Sequence, residues 1–186
     1  DSEAFVYNAY SLSLAQGSYT MFLDDPTVLT PLGPAVPAQY TFLAGADFAG
    51  DIFYGCTYGS PSLLTMDTET GAFTAVGSTS VALNGIAYDP TTETMFGVSS
   101  TALYTVDLAT GATTMVGSVA SGYTLIDLVC TNEGNLYAVT VDFTANSRFG
   151  MIDKTTGAWT LIATEPFVAL YAQGMAIDRQ TNTIFW

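Results

Sequence analysis

The sequence predicts an all-β protein, a β-propeller of four-stranded antiparallel blades with about four blades present. Two observations about repeats and one about periodicity predict it. The motif Asp-x-x-Thr-Gly-Ala occurs three times, with its aspartates at 67, 107 and 153. Between its copies runs a second pattern, an apolar strand that ends on a turn and is followed by another apolar strand. No segment carries helical periodicity with caps over three turns.

The first motif sits in a longer repeat. Leu64 to Gly77, Tyr104 to Gly117 and Gly150 to Ala163 align residue for residue, and the aspartates step by 40 and then 46. The second pattern places Gly85-Ile-Ala-Tyr-Asp89 six residues before Met95-Phe96-Gly97-Val98, and Gly174-Met-Ala-Ile-Asp178 six before Ile184-Phe185-Trp186. The same frame fits Asp47 with Phe53 to Cys56, and Cys130 with Leu136 to Val139. Each unit then reads as strands A to D. In the clearest one these fall at about 84–89, 94–99, 102–108 and 112–116. They are short, rich in β-branched and aromatic residues, and bounded by turn signals. A period of 40 to 48 residues with four strands per unit is that of a propeller blade.

The turns have a local cause. In Asp-x-x-Thr-Gly the carboxylate accepts backbone N–H groups of the turn, and the glycine supplies a positive φ. Asp67, Gly71, Asp107, Gly111, Asp153 and Gly157 are therefore read as structural turn residues. The chain divides as one propeller domain, 1–186. It has a partial blade over 1–38, blades at about 39–79, 80–119 and 120–165, and a partial blade over 166–186. The two partial blades either close a four-blade ring or make the chain a fragment of a larger propeller; the apolar end at Trp186 favours the fragment.

Charge narrows the partners. Arg148, Lys154 and Arg179 stand against 17 acidic residues, a net charge of −14. Three scattered cations cannot neutralise a phosphate backbone, so nucleic acid is excluded as a partner. Anionic membrane surfaces are disfavoured for the same reason. No apolar run approaches the roughly 20 residues of a membrane helix, so membrane insertion is not expected. The chain opens Asp1-Ser2-Glu3 without the basic and apolar regions of a leader. The Thr- and Ser-rich, Lys-poor composition suits a secreted or cell-envelope bacterial protein. Cys56 and Cys130 fall on different strands two units apart, which suits buried free thiols.

The segment Leu103-Tyr104-Thr105-Val106-Asp107-Leu108-Ala109-Thr110-Gly111 resembles the blades of bacterial secreted and envelope propellers, the quinoprotein-like, YVTN-like and kelch-like group. The resemblance covers about 42–186. It implies the architecture, while members of the group act as scaffolds, binders or enzymes. Quinone-cofactor propellers place a tryptophan four residues after the Thr-Gly glycine. Here Trp159 follows Gly157 by two, and Phe73 and Thr113 hold that place in the other copies. Sialidase-like propellers carry Ser-x-Asp-x-Gly-x-Thr-Trp and an arginine cluster. The Asp153 to Trp159 spacing differs, and the chain holds two arginines.

Catalytic constellations are scarce. The absence of histidine removes Ser-His-Asp and Cys-His chemistry and every His-ligated metal. Gly55 to Gly59 lacks the lysine and helix of a phosphate loop. With 17 acids, some carboxylate pair always falls at glycosidase spacing, so such a pair carries little weight. No cofactor is expected; Ca²⁺ is possible at Asp24-Asp25 and at Asp47 with Asp51. The best candidates are aromatic. Tyr58, Tyr123, Phe143 and Phe167 fall on B–C and D–A loops, which build the ligand face of a propeller, among Asn, Ser and Thr. The competing reading is that these rings pack under their own loops. The expectation is a non-catalytic binding module for a glycan or protein. The alternatives are a fragment of a propeller glycoside hydrolase or lyase, and a structural spacer.

Overall fold

The computed structural model describes residues 6–10, 18–22, 25–34, 37–40, 42–170 and 174–186. The described residues form a β-propeller with no helix. Blade I is a three-stranded sheet of β1 (Val6–Tyr10), β2 (Ser18–Phe22) and β3 (Asp25–Pro31). Blade II holds β4 (Leu43–Ala49), β5 (Ile52–Thr57), β6 (Ser62–Met66) and β7 (Phe73–Ser78). Blade III holds β8 (Gly85–Asp89), β9 (Thr94–Val98), β10 (Ala102–Val106) and β11 (Thr113–Ser118). Blade IV holds β12 (Thr124–Cys130), β13 (Leu136–Val141), β14 (Arg148–Ile152) and β15 (Trp159–Thr164). Blade V is the pair β16 (Ala176–Asp178) and β17 (Thr183–Phe185).

Every blade is an antiparallel meander, so chain neighbours are sheet neighbours. The first strands touch in succession: β4 meets β8, β8 meets β12, and β12 meets β16. These are the inner strands, and glycine lets them approach. A Cβ on Gly45 would lie 2.6 Å from the Cα of Gly85. One on Gly85 would lie 1.9 Å from Asp127 Oδ1.

The core is three apolar seams between blades. Cys56 and Leu63 of blade II meet Leu83, Ile86 and Met95 of blade III. Phe96 and Leu103 of blade III meet Leu125, Leu128 and Leu136 of blade IV. Val139 and Val141 of blade IV meet Ala169 and Met175 of blade V. Burying each such side chain contributes roughly 1.5–3 kcal/mol relative to exposure. Cys56 on β5 and Cys130 on β12 are buried free thiols. Burial pushes each up to about 12; the neighbouring charge of Asp127 adds to the effect at Cys56, and that of Asp89 at Cys130.

The outer strands dock by a repeated device. The pairing of β6 with β7, β10 with β11 and β14 with β15 breaks once in each blade, leaving Val76, Val116 or Ile162 bulged. The next residue is Gly77, Gly117 or Ala163. Gly77 presses on the Thr110-Gly111 turn of the next blade and Gly117 on Thr156-Gly157. Gly33 presses likewise on Thr70-Gly71, which seats blade I against blade II.

Those turns are built alike. Asp67 Oδ1 accepts the N–H groups of Glu69 (2.9 Å) and Thr70 (2.8 Å). Asp107 does so for Ala109 and Thr110, and Asp153 for Thr155 and Thr156. Gly71, Gly111 and Gly157 adopt φ of 69°, 77° and 77°. The carboxylates are exposed, and the donated hydrogen bonds hold all three below the usual range, Asp153 to about 2.

The sequence frame needs two corrections. Cys130 pairs with Leu136 as Tyr88 pairs with Met95, so it lies one residue back from the place of Asp89. Spacing aligned Asp47 with Asp89 at a strand end. In the sheet Asp47 pairs with Tyr54, as Ala87 pairs with Phe96. Asp47 therefore lies within β4, two residues back. The slip arises because the turns between inner strand and neighbour differ in length: residues 50–51 in blade II against 90–93 in blade III.

Candidate loop-face site

Antiparallel meanders bring the B–C and D–A loops to one face. Between blades III and IV this face holds a pocket of about 460 Å³. Thr101 comes from the β9–β10 loop, Ala120 and Tyr123 from the β11–β12 loop, Thr124 from the start of β12, and Asp142 and Phe143 from the β13–β14 loop. Two of the four predicted aromatics, Tyr123 and Phe143, therefore share one pocket.

Each ring is held differently. The guanidinium of Arg148 lies 3.7 Å over the Tyr123 ring centroid. It also donates from Nη1 to the Ser121 carbonyl at 2.8 Å. Tyr123 is thus half-buried with one face covered. Phe143 packs at the edge of the seam between blades IV and V, against the buried cluster that holds Val139, Val141, Ala169 and Met175. Phe143 also adopts φ 69°, a left-handed conformation that costs of order 1 kcal/mol or more in a residue other than glycine. Asp142 fixes that turn. Its Oδ1 accepts the Thr144 hydroxyl at 2.5 Å and the Ala145 N–H at 3.1 Å. The Thr144 hydroxyl, the backbone N–H groups and the charge of Arg148 together hold its carboxyl below the usual range, against a smaller opposing effect of burial.

The other two predicted aromatics do not line this pocket. Tyr58 lies on the β5–β6 loop, exposed, edge-on to Phe42 at 6.3 Å and 76°. Phe167 follows β15, exposed, 5.1 Å from Trp186. Its carbonyl accepts the Ser147 N–H, which ties that segment to the β13–β14 loop. Sequence reasoning missed Asp142 and Arg148 as site residues. Asp142 followed two residues later by Thr144 is the local signal that marks such a turn.

The opposite end of the axis carries a polar knot. Arg179, in the turn between β16 and β17, donates to Asp47 Oδ2 (3.2 Å), the Tyr88 carbonyl (2.9 Å) and the Cys130 carbonyl (3.2 Å). One side chain of blade V thereby ties blades II, III and IV. Asp47 Oδ2 also accepts the Tyr88 N–H at 2.8 Å. Burial pushes the Asp47 carboxyl up in spite of these partners. Asp127, on β12, accepts the N–H of Leu128 and, across the blade boundary, that of Met175, each at 2.8 Å. Its burial is near complete, and its carboxyl is pushed well up by that burial, with a further contribution from Asp47. A second cross-blade bridge joins the Lys154 ammonium to Asp89. Burial alone would raise Asp89, but Lys154, Thr91 and Thr92 hold it well below the usual range.

Asp47 thus accepts from Arg179 and from the Tyr88 backbone. Among the described residues no three His, Cys, Asp or Glu side chains gather as metal ligands. Asp24 lies outside the described residues. No described helix is long and apolar enough to cross a membrane.

No family model and no curated protein sequence matches the chain. Solved structures do resemble it. A chain of the nidogen/laminin complex is similar with a TM-score of 0.68 and 14% identity, over 96% of this chain and 68% of that one. Virginiamycin B lyase from Staphylococcus aureus is similar with a TM-score of 0.57 and 12% identity, over 94% of this chain and 60% of that one. Hydrazine synthase from Kuenenia stuttgartiensis gives a TM-score of 0.54 and 15% identity, over 79% of this chain and 43% of that one. At these identities the likeness is one of fold. The chain spans about two thirds of the first of these and less of the other two.

Proposed function

We propose that the protein is a non-catalytic carbohydrate-binding module that seats its ligand in the loop-face pocket between blades III and IV. One observation carries the reading. The pocket combines the Tyr123 and Phe143 rings with the Asp142 carboxylate and the hydroxyl-bearing Thr101 and Thr124, in about 460 Å³. That volume lies within the range of small-ligand sites. Sugars present apolar C–H faces to aromatic rings and hydroxyls to polar groups, and the lining offers both. A catalytic role is not assigned, because Asp47 and Asp127, the acids raised by burial, are engaged with backbone and Arg179. A secreted or envelope setting in a bacterium fits the composition and belongs to the same proposal.

A second reading is a protein ligand. The similar chain from the nidogen/laminin complex and the exposed pairs Phe42–Tyr58 and Phe167–Trp186 favour it. The test is a glycan array of the purified chain, with and without Ca²⁺. A hit lost in Phe143→Ala and kept in Tyr58→Ala places the site in this pocket. A hit lost only in Tyr58→Ala moves it to blade II. Silence from the folded chain sinks the glycan reading in favour of a protein partner or a spacer. Glycan turnover abolished by replacing one acidic pair would restore the hydrolase or lyase alternative.

A further inference from the structure

The charges at the pocket wall go further than the glycan reading on which this step rests, because they select among glycans. Both hydrogen bonds that close the loop, from the Thr144 hydroxyl and the Ala145 N–H, fall on Oδ1 of Asp142. The carboxylate lines the pocket. A carboxylate at a pocket wall is a strong acceptor for ligand hydroxyls. The cation at this wall is Arg148, whose guanidinium covers the Tyr123 ring that lines the pocket together with Asp142. It is already committed, stacked on Tyr123 and bonded to the Ser121 carbonyl. To grip a ligand carboxylate with its fork it would have to leave both partners.

We propose that the pocket selects uncharged saccharides, with Asp142 accepting a ligand hydroxyl and the Asp142–Arg148 pair cancelling the local field for ligands of either sign. An acidic sugar meets the carboxylate first, within a molecule of net charge −14. An amino sugar would gain from Asp142 but faces Arg148 beside it. A hydroxyl gains from the carboxylate without carrying a charge into the field.

The test uses three oligomers of equal length on the full chain by calorimetry: an unsubstituted hexose oligosaccharide, an oligogalacturonate and a deacetylated chitosan oligomer. The wild type is expected to bind the neutral oligomer best. Asp142→Asn keeps an Oδ1 acceptor for Thr144 and Ala145. It should weaken neutral binding about tenfold or more, the effect of losing a charged acceptor, and should raise oligogalacturonate binding, because Arg148 is then uncompensated. Arg148→Gln should shift preference toward the chitosan oligomer. Circular dichroism establishes that each variant is folded. A wild type that binds glycans but prefers either charged oligomer overturns the selection. So does Asp142→Asn that leaves the order of preference unchanged. A folded wild type that binds none of the three overturns the glycan reading itself, and this inference with it.

Discussion

Two residues before Met95, Leu136 and Ile184 stand Glu93, Gly134 and Asn182, with φ of 52°, 80° and 56°. Each closes the turn between an inner strand and its neighbour in the left-handed region. Glycine and asparagine enter that region at little cost, whereas a glutamate pays a steric penalty. Glu93 is exposed, so its replacement removes no packing. Glu93→Gly should therefore stabilise the fold by roughly 0.5–1 kcal/mol, read as a higher urea midpoint at unchanged slope. An unchanged or lower midpoint would show that the turn holds no strain at this position. The six-residue frame already set the three positions in register. What it did not show was the left-handed backbone at Glu93, because a glutamate carries no sign of a positive φ. The shorter turn at residues 50–51 displaced Asp47 from its true register. At the site, the two rings were legible as loop aromatics. Their partners Asp142 and Arg148 were not, because a stacked guanidinium and a loop-closing carboxylate leave no periodic trace.

The element that makes this chain a propeller is the bulge with its following glycine. A Cβ on Gly117 would lie 2.1 Å from the Thr156 carbonyl oxygen, and one on Gly77 would lie 2.0 Å from that of Thr110. Backbone blocks each position, so no rotamer change relieves the clash. Gly117→Ala should destabilise by about 2–3 kcal/mol through overpacking at the blade boundary. Ala163 occupies the same place on β15 and already carries a Cβ. The preceding Ile162 is 53% exposed, whereas Val76 and Val116 pack into the seams of the following blades. Ala163→Gly should accordingly cost no more than about 1 kcal/mol, the backbone entropy of a strand glycine. Equal effects of the two substitutions, measured by urea denaturation, would dismiss docking as the reason for the glycine. The sequence displayed the repeat, with Gly33, Gly77 and Gly117 stepping by 44 and 40. It could not display the reason, since each glycine answers to a turn 33 to 40 residues further on.

At the scale of the whole molecule, two sets of carboxylates oppose each other in pH. Asp67, Asp107, Asp142 and Asp153 lie below the usual range in the fold. Each contributes stability that is present above the ordinary aspartate value of 3.8 and is lost as pH falls through its folded value, about 2 for Asp153. Asp47 and Asp127 are raised by burial. Their contribution has the other sign, present below 3.8 and lost as pH rises through the folded value. The charged groups that act on Asp127 and its neighbours are Asp47 and, through Asp47, Arg179; Cys56 stays neutral with its thiol at about 12. Lowering the pH from neutral should therefore first raise the thermal midpoint, as the axial carboxyls take up protons. It should then lower the midpoint below about pH 4, as the turn carboxylates and Asp89 lose their bonds. Asp127→Asn removes the largest ionisation from the axis, so it should flatten the first limb and leave the second unchanged. A wild-type midpoint that falls steadily from pH 7 would mean that Asp47 and Asp127 are ionised without cost. The axis would then have to admit water to both carboxylates.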